Sequence, residues 1–314
     1  MKRFVAILAM WSLMSWSAVA QIGEVGIGVG TSNFLGDLGK KSSNFKSYFG
    51  DIDGSLFRPA VQVYYRHSFS YRFAGKVSLS YGVLEGDDRL SRTKQFRDDA
   101  WYRSYRNLSF KSFILEAAVT AEFNILKYAP GSMKYRWTPY VFGGVGLFAF
   151  DPKTEYNGEW VRLQPLGTEG QGLPNYPERR KYALVQPSLP LGLGIKFNIN
   201  KAWSIGLEMG HRITFTDYLD DVSSNYVSYN DFSSYYGSER AIMAYELSRR
   251  STELDPEGKY GSITKPGEVR GNPKSNDSYL FTVVSVSYNF SKLNRREHNP
   301  FAKKNNGKYR RVFR

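Results

Sequence analysis

The chain has no cysteine, few histidines and no long apolar run in its body. The absence of Cys from its 314 residues excludes disulfides, thiolate metal sites and lipid anchors attached to Cys. The three histidines are His67, His211 and His298, so imidazole chemistry has few candidates. Beyond the first 20 residues no stretch of 18 apolar residues occurs, and the sequence therefore predicts no transmembrane helix.

The first 20 residues have the composition of an export signal. Lys2 and Arg3 precede a mostly apolar stretch at 4–16, and Ala18-Val19-Ala20 fits the small-residue rule for cleavage. The alternative, a membrane anchor, would need a longer apolar run. We therefore predict a cleaved signal peptide over 1–20 and a mature chain that begins at Gln21.

Aromatic residues are abundant, at 16% of the chain, and much of the sequence alternates with a period of two. In 191–199, for example, Leu191, Leu193 and Ile195 alternate with glycine and polar residues, as in a strand with two different faces. Most of the alternating segments run nine to fourteen residues, the length of a tilted strand that crosses a bilayer. There are eight of them, at 22–30, 58–69, 71–84, 110–124, 138–150, 187–199, 202–215 and 279–290.

The connections between these segments alternate between short and long. The short ones lie near Ser70, at 125–137 and at Asn200-Lys201, and the long ones at 31–57, 85–109, 151–186 and 216–278. This alternation with an even strand count is typical of outer-membrane barrels. We predict an all-β fold, an eight-stranded antiparallel outer-membrane β-barrel over 21–290, with long extracellular loops and with both termini in the periplasm.

The two faces of the predicted strands differ in charge. One face is apolar and is predicted to meet lipid; segment 138–150 is ambiguous and stays unassigned. A soluble barrel with a wet outer face would need neither a signal peptide nor aromatic strand ends such as Tyr288 and Phe290. Eight strands leave room inside only for side chains, so charges of both signs indicate a filled, salt-bridged lumen and no channel. The predicted lumen charge network is Glu24, Arg58, Arg66, Lys76, Glu116, Glu122, Lys196, Glu208 and Arg212.

Candidates for catalysis and metal binding are few. Some small outer-membrane barrels modify lipid with a His/Ser/acid site at the outer rim, and His211 precedes Asp217, but no tight spacing fixes a nucleophile beside a base. Asp217, Asp220 and Asp221 could bind Ca²⁺, as could the stretch 50–54, yet neither matches a defined calcium loop. We predict no catalytic residue, no metal and no cofactor.

Two of the long loops leave alternatives open. The basic and aromatic loop 85–109 could pair with lipid phosphates or could be a solvated loop. The loop 216–278 is too long to be structureless in a compact domain, and 238–254 has helical composition. That helix could contact a partner or form a lid over the barrel mouth.

The last 24 residues carry most of the net charge of +14. The segment 291–314 is polar, without periodicity and predicted to be a disordered periplasmic tail. Because the chain is predicted to be exported, nucleic acid is not expected, and an acidic protein or anionic lipid is the candidate partner. The predicted partner-binding residues are Lys292, Arg295, Arg296, Lys303, Lys304, Lys308, Arg310, Arg311 and Arg314.

Three stretches resemble a known family. "VGIGVGTSNFLGDLG" (25–39), "GTEGQGL" (167–173) and "QPSLPLGLGIKFNINKAWSIGLEMGHRITFTDYLDDVSSNYV" (186–227) are similar to PorG-like outer-membrane barrels of the type IX secretion system of Bacteroidetes. The resemblance implies a non-enzymatic barrel without a cofactor. It also implies that the barrel anchors a periplasmic ring of two proteins, one of them a lipoprotein. Alternatives are a barrel enzyme acting on outer-leaflet lipid, a structural barrel outside a secretion machine, and a pore.

Overall fold

The alternating segments form long antiparallel strands. The structure is a computed structural model and describes residues 23–38, 58–90, 99–290, 303–305 and 308–310. Because side chains alternate between two faces, each strand presents one apolar face and one polar face. The strands of the main sheet are β1 Gly23–Leu35, β2 Pro59–Ser68, β3 Phe73–Asp87, β4 Ser109–Asn124, β5 Trp137–Phe150, β6 Lys153–Tyr156, β7 Glu159–Arg162, β8 Val185–Asn198, β9 Trp203–Thr214 and β10 Ser278–Asn289.

Eight of these strands close into a barrel. The order is β3-β2-β1-β10-β9-β8-β5-β4, and β3 also pairs with β4, so no edge is left open. The first and last barrel strands pair over their whole length, from Glu24 opposite Asn289 to Leu35 opposite Ser278. The predicted fold, a closed eight-stranded antiparallel barrel, is confirmed. The remaining pair, β6 and β7, is a hairpin attached to β4 where Lys153 lies opposite Lys111.

The outside of the barrel is an apolar band. Ile27, Val29 and Leu193 are each 61% exposed, although such side chains are normally buried in a water-soluble protein. A closed barrel with this exterior is suited to lipid, because every backbone group inside the bilayer is paired with a neighbouring strand. On the unassigned strand β5, Val141 and Val145 point outward and Phe142 points inward. Within the described residues, no helix is both long enough and apolar enough to span a membrane.

The two ends of the barrel are built differently. At the turn end, the connections 69–72, 125–136 and 199–202 are short. At the loop end, the connections between barrel strands are long, and those that are described contain the hairpin β6–β7, three α-helices and three short 3₁₀ segments. The helices are α1 Asp99–Arg106, α2 Tyr229–Ser233 and α3 Ser238–Ser248, and the 3₁₀ segments are Asp88–Leu90, Arg250–Glu253 and Gly261–Thr264.

The long loops pack into a cap over the loop end. Leu173, Leu219, Phe232 and Leu247 come from distant parts of two loops and share one buried core. This core continues into the top of the barrel through Phe148, Phe150 and Tyr279. Helix α3 buries Ala241, Ala244 and Leu247 and is therefore part of a lid over the barrel mouth.

Parts of the predicted chain organisation lie outside the described residues. These are the predicted signal peptide 1–20, the calcium candidate 50–54 and most of the tail 291–314. Within the tail, for which the sequence predicts disorder, Lys303–Asn305 (β11) and Lys308–Arg310 (β12) pair as a short antiparallel hairpin. In the sequence, the dipeptide Asn306-Gly307 between them is of the type that favours two-residue hairpins, a local signal that composition alone does not register.

Candidate functional site

The centre of the lumen is a salt-bridge network around Glu122. Arg66 donates its Nε to Glu122 at 2.9 Å and its Nη1 to Glu24 at 3.3 Å. Lys196 donates its Nζ to the same Glu122 carboxylate at 2.7 Å. Glu24 and Arg66 lie opposite each other on the paired strands β1 and β2, whereas Glu122 on β4 joins Arg66 on β2 and Lys196 on β8, each one strand further round the barrel.

Two further ion pairs lie nearer the loop end. Lys76 on β3 pairs with Glu208 on β9, and the Tyr140 hydroxyl donates to Glu208 at 2.9 Å. Arg212 on β9 pairs with Glu116 on β4 at 3.1 Å, and the Tyr279 hydroxyl donates to Glu116 at 2.8 Å. The lumen is close-packed around them: a Cβ added at Gly210 would lie 2.3 Å from Nη1 of Arg212.

Eight of the nine predicted lumen residues join this network through five salt bridges. All nine are buried. Arg58 precedes β2 and is buried at the loop end. Buried charges are costly unless paired, and here acids and bases neutralise each other. The arrangement therefore holds the barrel filled.

The sequence analysis missed the hydroxyl groups that complete the network. Tyr140 and Tyr279 are 2% and 0% exposed, and their hydroxyls donate hydrogen bonds to Glu208 and Glu116, the two carboxylates nearer the loop end. Tyr140 lies on the strand whose faces were unassigned, because the glycines at Gly143, Gly144 and Gly146 blur its alternation. The alternation of Tyr140 and Phe142 with Val141 and Val145 was the signal that could have identified it.

The turn end is plugged by the connection between β4 and β5. Tyr128 and Ala129 are fully buried inside the barrel mouth. The Tyr128 hydroxyl donates to Oδ1 of Asn198 at 2.8 Å, and Nδ2 of Asn198 donates to the Ala129 carbonyl at 2.9 Å. The Tyr128 backbone N–H also donates to the carbonyl of Tyr71, 3.1 Å away, in the neighbouring turn. The lumen is therefore covered at both ends.

The cap has its own buried ion pairs. Arg106 donates to both oxygens of Asp88, at 2.7 and 2.9 Å, and reaches the carbonyl of Asp37. Arg270 pairs with Glu169 at 2.9 Å. In the loop 85–109, Arg106 thus points into the cap, whereas Arg89 pairs with Asp87 on the surface. Arg92, Lys94 and Arg97 of that loop lie outside the described residues.

The aspartates considered as calcium ligands have separate surroundings. Asp221 accepts hydrogen bonds from the hydroxyls of Thr168 and Tyr182, and Asp220 accepts one from the backbone of Val222. Burial raises the pKa of Asp217 to about 7, an effect that Ser223 only partly opposes. Burial also raises the pKa of Asp277, which is near Asp220 and Asp217. Across the described part of the chain, no three His, Cys, Asp or Glu side chains are placed to hold one metal ion.

The two described histidines, His67 and His211, lie near opposite ends of the barrel. His211 belongs to the outward-facing series of β9 and lies opposite Leu191 and Leu280. Asp217, its candidate partner from the sequence, is buried in the cap. His67 lies near the turn end, with its Nδ1 3.4 Å from the Tyr65 hydroxyl. His298 is outside the described residues.

Comparisons with known proteins gave one family and several barrels. The attachment invasion locus protein Ail of Yersinia pestis has 10% identity and a TM-score of 0.36, over 86% of this chain and 99% of Ail. Neisserial surface protein A has 7% identity and a TM-score of 0.35, over 85% of this chain and 97% of that one. OprG of Pseudomonas aeruginosa has 8% identity and a TM-score of 0.32, over 87% of this chain and 98% of OprG. No curated protein matches. The family model described as "Domain of unknown function (DUF6089)" matches residues 1–238, so the chain belongs to the DUF6089 family.

Proposed function

We propose that this protein is a non-enzymatic outer-membrane barrel that anchors a periplasmic protein assembly. The observation that carries the proposal is a lumen filled with paired charges and covered at both ends. Such a barrel offers no path for a solute. Its function then belongs to its outer surfaces and its tail.

The proposed assembly is the ring of the type IX secretion system, as the resemblance to PorG-like barrels implies. In that arrangement the turn end and both termini face the periplasm, and the cap faces outward. In the sequence the tail follows β10, which ends at Asn289 at the turn end, and this supports a contact between the basic tail and a ring on that side of the membrane. Lys292, Arg295 and Arg296, together with the six basic residues nearer the end of the tail, are the proposed contacts.

Co-purification from native outer membranes in mild detergent tests this proposal. The full chain is compared with a version that ends at Phe290, and folding of both barrels is checked by heat-dependent gel mobility. We expect the full chain to retain the ring lipoprotein and its partner, and the truncated chain to lose them. If neither version retains a periplasmic protein, the anchoring function is wrong. If both retain the ring, the barrel or its turns make the contact.

The same preparation separates anchoring from lipid-modifying chemistry. Under the proposed function, His211→Ala leaves ring retention and outer-leaflet lipid composition unchanged, because the side chain belongs to the outward-facing series of β9 and faces the bilayer. A change of lipid composition in His211→Ala cells with an unchanged ring would favour an enzyme.

A further inference from the structure

The three described connections at the turn end of the barrel are basic. These connections, 69–72, 125–136 and 199–202, contain Arg72, Lys127, Lys134, Arg136 and Lys201 and neither Asp nor Glu. Arg136 is half-buried and the other four are exposed. We call these five residues the basic collar. The loop end is different, because acids such as Asp255 and Glu257 accompany its lysines.

The two arginines of the collar are held at the perimeter of the barrel. Arg136 donates to the carbonyls of Asn198 and Ile199 at 2.9 and 3.2 Å, and its guanidinium lies 4.4 Å from the centre of the Phe197 ring. Arg72 donates to the carbonyl of Ile125, and its guanidinium lies 6.0 Å from the outward-facing Phe123 ring. Their charge is thus fixed beside the apolar band.

Aromatic residues mark the height of the collar relative to a bilayer. Trp137, Trp203 and Tyr288 point outward at the turn end, and each is between 43% and 46% exposed. The Trp203 and Tyr288 rings are in edge contact, with centroids 5.2 Å apart. Tryptophan and tyrosine of this kind concentrate at the boundary between hydrocarbon and headgroups. The collar, one or a few residues beyond them, is therefore at the level of the phosphates.

We propose that the basic collar binds the phosphate groups of anionic phospholipids in the leaflet at the turn end. Arginine and lysine at a membrane surface attract anionic headgroups, and acids would oppose that attraction. The fixed guanidiniums of Arg72 and Arg136 provide oriented donors, and Lys127, Lys134 and Lys201 add mobile charge. This surface surrounds the barrel wall and does not depend on the proposed ring partner.

Lipid enrichment around the reconstituted full chain tests the proposal. The protein is placed in nanodiscs of phosphatidylcholine containing a minor fraction of phosphatidylglycerol, and the lipid that remains bound after detergent extraction is identified by mass spectrometry. The test variant is K127Q/K134Q/K201Q. These side chains are exposed, so the fold is retained. Each basic residue near the membrane surface strengthens binding of anionic lipid several-fold. Removing three should therefore lower the phosphatidylglycerol enrichment by more than about tenfold.

The loop end supplies a matched control. The variant K259Q/K265Q/K274Q also removes three exposed lysines, and Lys259 lies over Tyr260 at 5.2 Å much as Lys134 lies over Tyr135 at 5.5 Å. We expect it to keep the enrichment of the unmodified chain. Equal enrichment in both variants, whether both low or both high, would overturn the proposal.

Ring retention distinguishes this proposal from the anchoring function. If K127Q/K134Q/K201Q loses phosphatidylglycerol but keeps the ring, the collar binds lipid, whether or not the tail is the part that binds the ring. If it keeps phosphatidylglycerol and loses the ring, the collar is a protein-binding surface and the lipid proposal is wrong. If the ring is lost only from the chain that ends at Phe290, that result bears on the anchoring function and leaves the lipid proposal unaffected.

Discussion

Glu122 is the residue on which the centre of the lumen depends. It accepts Arg66 and Lys196 from opposite sides, and all three side chains are almost fully buried. In water each charge would be hydrated, whereas inside the barrel each depends on buried partners for neutralisation. Glu122 is the salt-bridge partner of Lys196 and one of the two partners of Arg66, the other being Glu24.

Replacing Glu122 with Gln should destabilise the barrel by about 3–5 kcal/mol, because it leaves buried positive charge without a counter-charge. Urea titration, read by heat-dependent gel mobility, measures this. The matched control is Asp87→Asn, which breaks the exposed pair with Arg89 and should cost no more than about 1 kcal/mol. Similar midpoints for the two variants would contradict the network's structural role.

Asp217 should make the cap sensitive to pH. Its pKa in the folded cap is about 7, above the value of about 3.9 for a free aspartate, so the folded cap binds the extra proton between these two values. The contribution of Asp217 to cap stability is then greatest below about pH 4 and is lost as pH rises to about 7. Asp217→Asn should slow proteolysis of the cap at pH 8 relative to the unmodified chain.

The measurement is the ratio of cleavage rates, variant over unmodified chain, at pH 5 and at pH 8. The ratio removes the pH dependence of the protease itself. Glu257→Gln, an exposed carboxylate of the same loop, should give a ratio near one at both values. A ratio for Asp217→Asn that does not change with pH would show that the cap is insensitive to this group.

Among the elements, helix α3 contributes one face to the buried core that the cap shares with the top of the barrel. Ala241 and Ala244 are fully buried against the shared core, whereas Ile242 on the same helix is 42% exposed. The small side chains permit close packing, and the large apolar one faces away from it. This explains why the apolar residues of 238–254 form no clean stripe in the sequence.

Ala244→Glu should open the cap and leave the barrel intact. A carboxylate forced into the packed core costs about 3 kcal/mol or more, because no partner is available there. Limited proteolysis should cut 216–277 faster, with unchanged gel mobility of the barrel. Ile242→Glu is the control and should behave like the unmodified chain; faster cleavage in both would mean that α3 is loosely attached.

The elements also show how far sequence reasoning extends. All eight barrel strands were predicted, and their predicted ends lie within about five residues of the observed ones. The prediction succeeds because the alternation of apolar and polar residues along a lipid-facing strand can be read from a short stretch of sequence. The lumen charges were predicted for the same reason. The shared core of the cap was not predicted, because it unites residues such as Leu173 and Leu247 that are close only after folding. The plug was missed as well: nothing local marks Tyr128 as buried.

At the scale of the whole molecule, the protein is a closed cylinder. The lumen is filled by ion pairs, and the plug and the cap cover its two ends. We therefore expect no conductance in planar bilayers at voltages where porins conduct. Deletion of the plug residues 128–131 should still give none, because the side chains of Arg66, Glu122 and Lys196 fill the section above. Stepwise ohmic currents from the unmodified chain would contradict this.

The pairing of charges across the lumen also determines register. Three of the five salt bridges, Lys76–Glu208, Glu122–Lys196 and Glu116–Arg212, join the first four barrel strands to the last four. A slip of two residues between the halves would keep apolar side chains outside, so hydrophobicity cannot prevent it. The same slip would separate all three pairs. The charges therefore select one alignment of the barrel: only one offset between its halves brings each of these three carboxylates beside its cation.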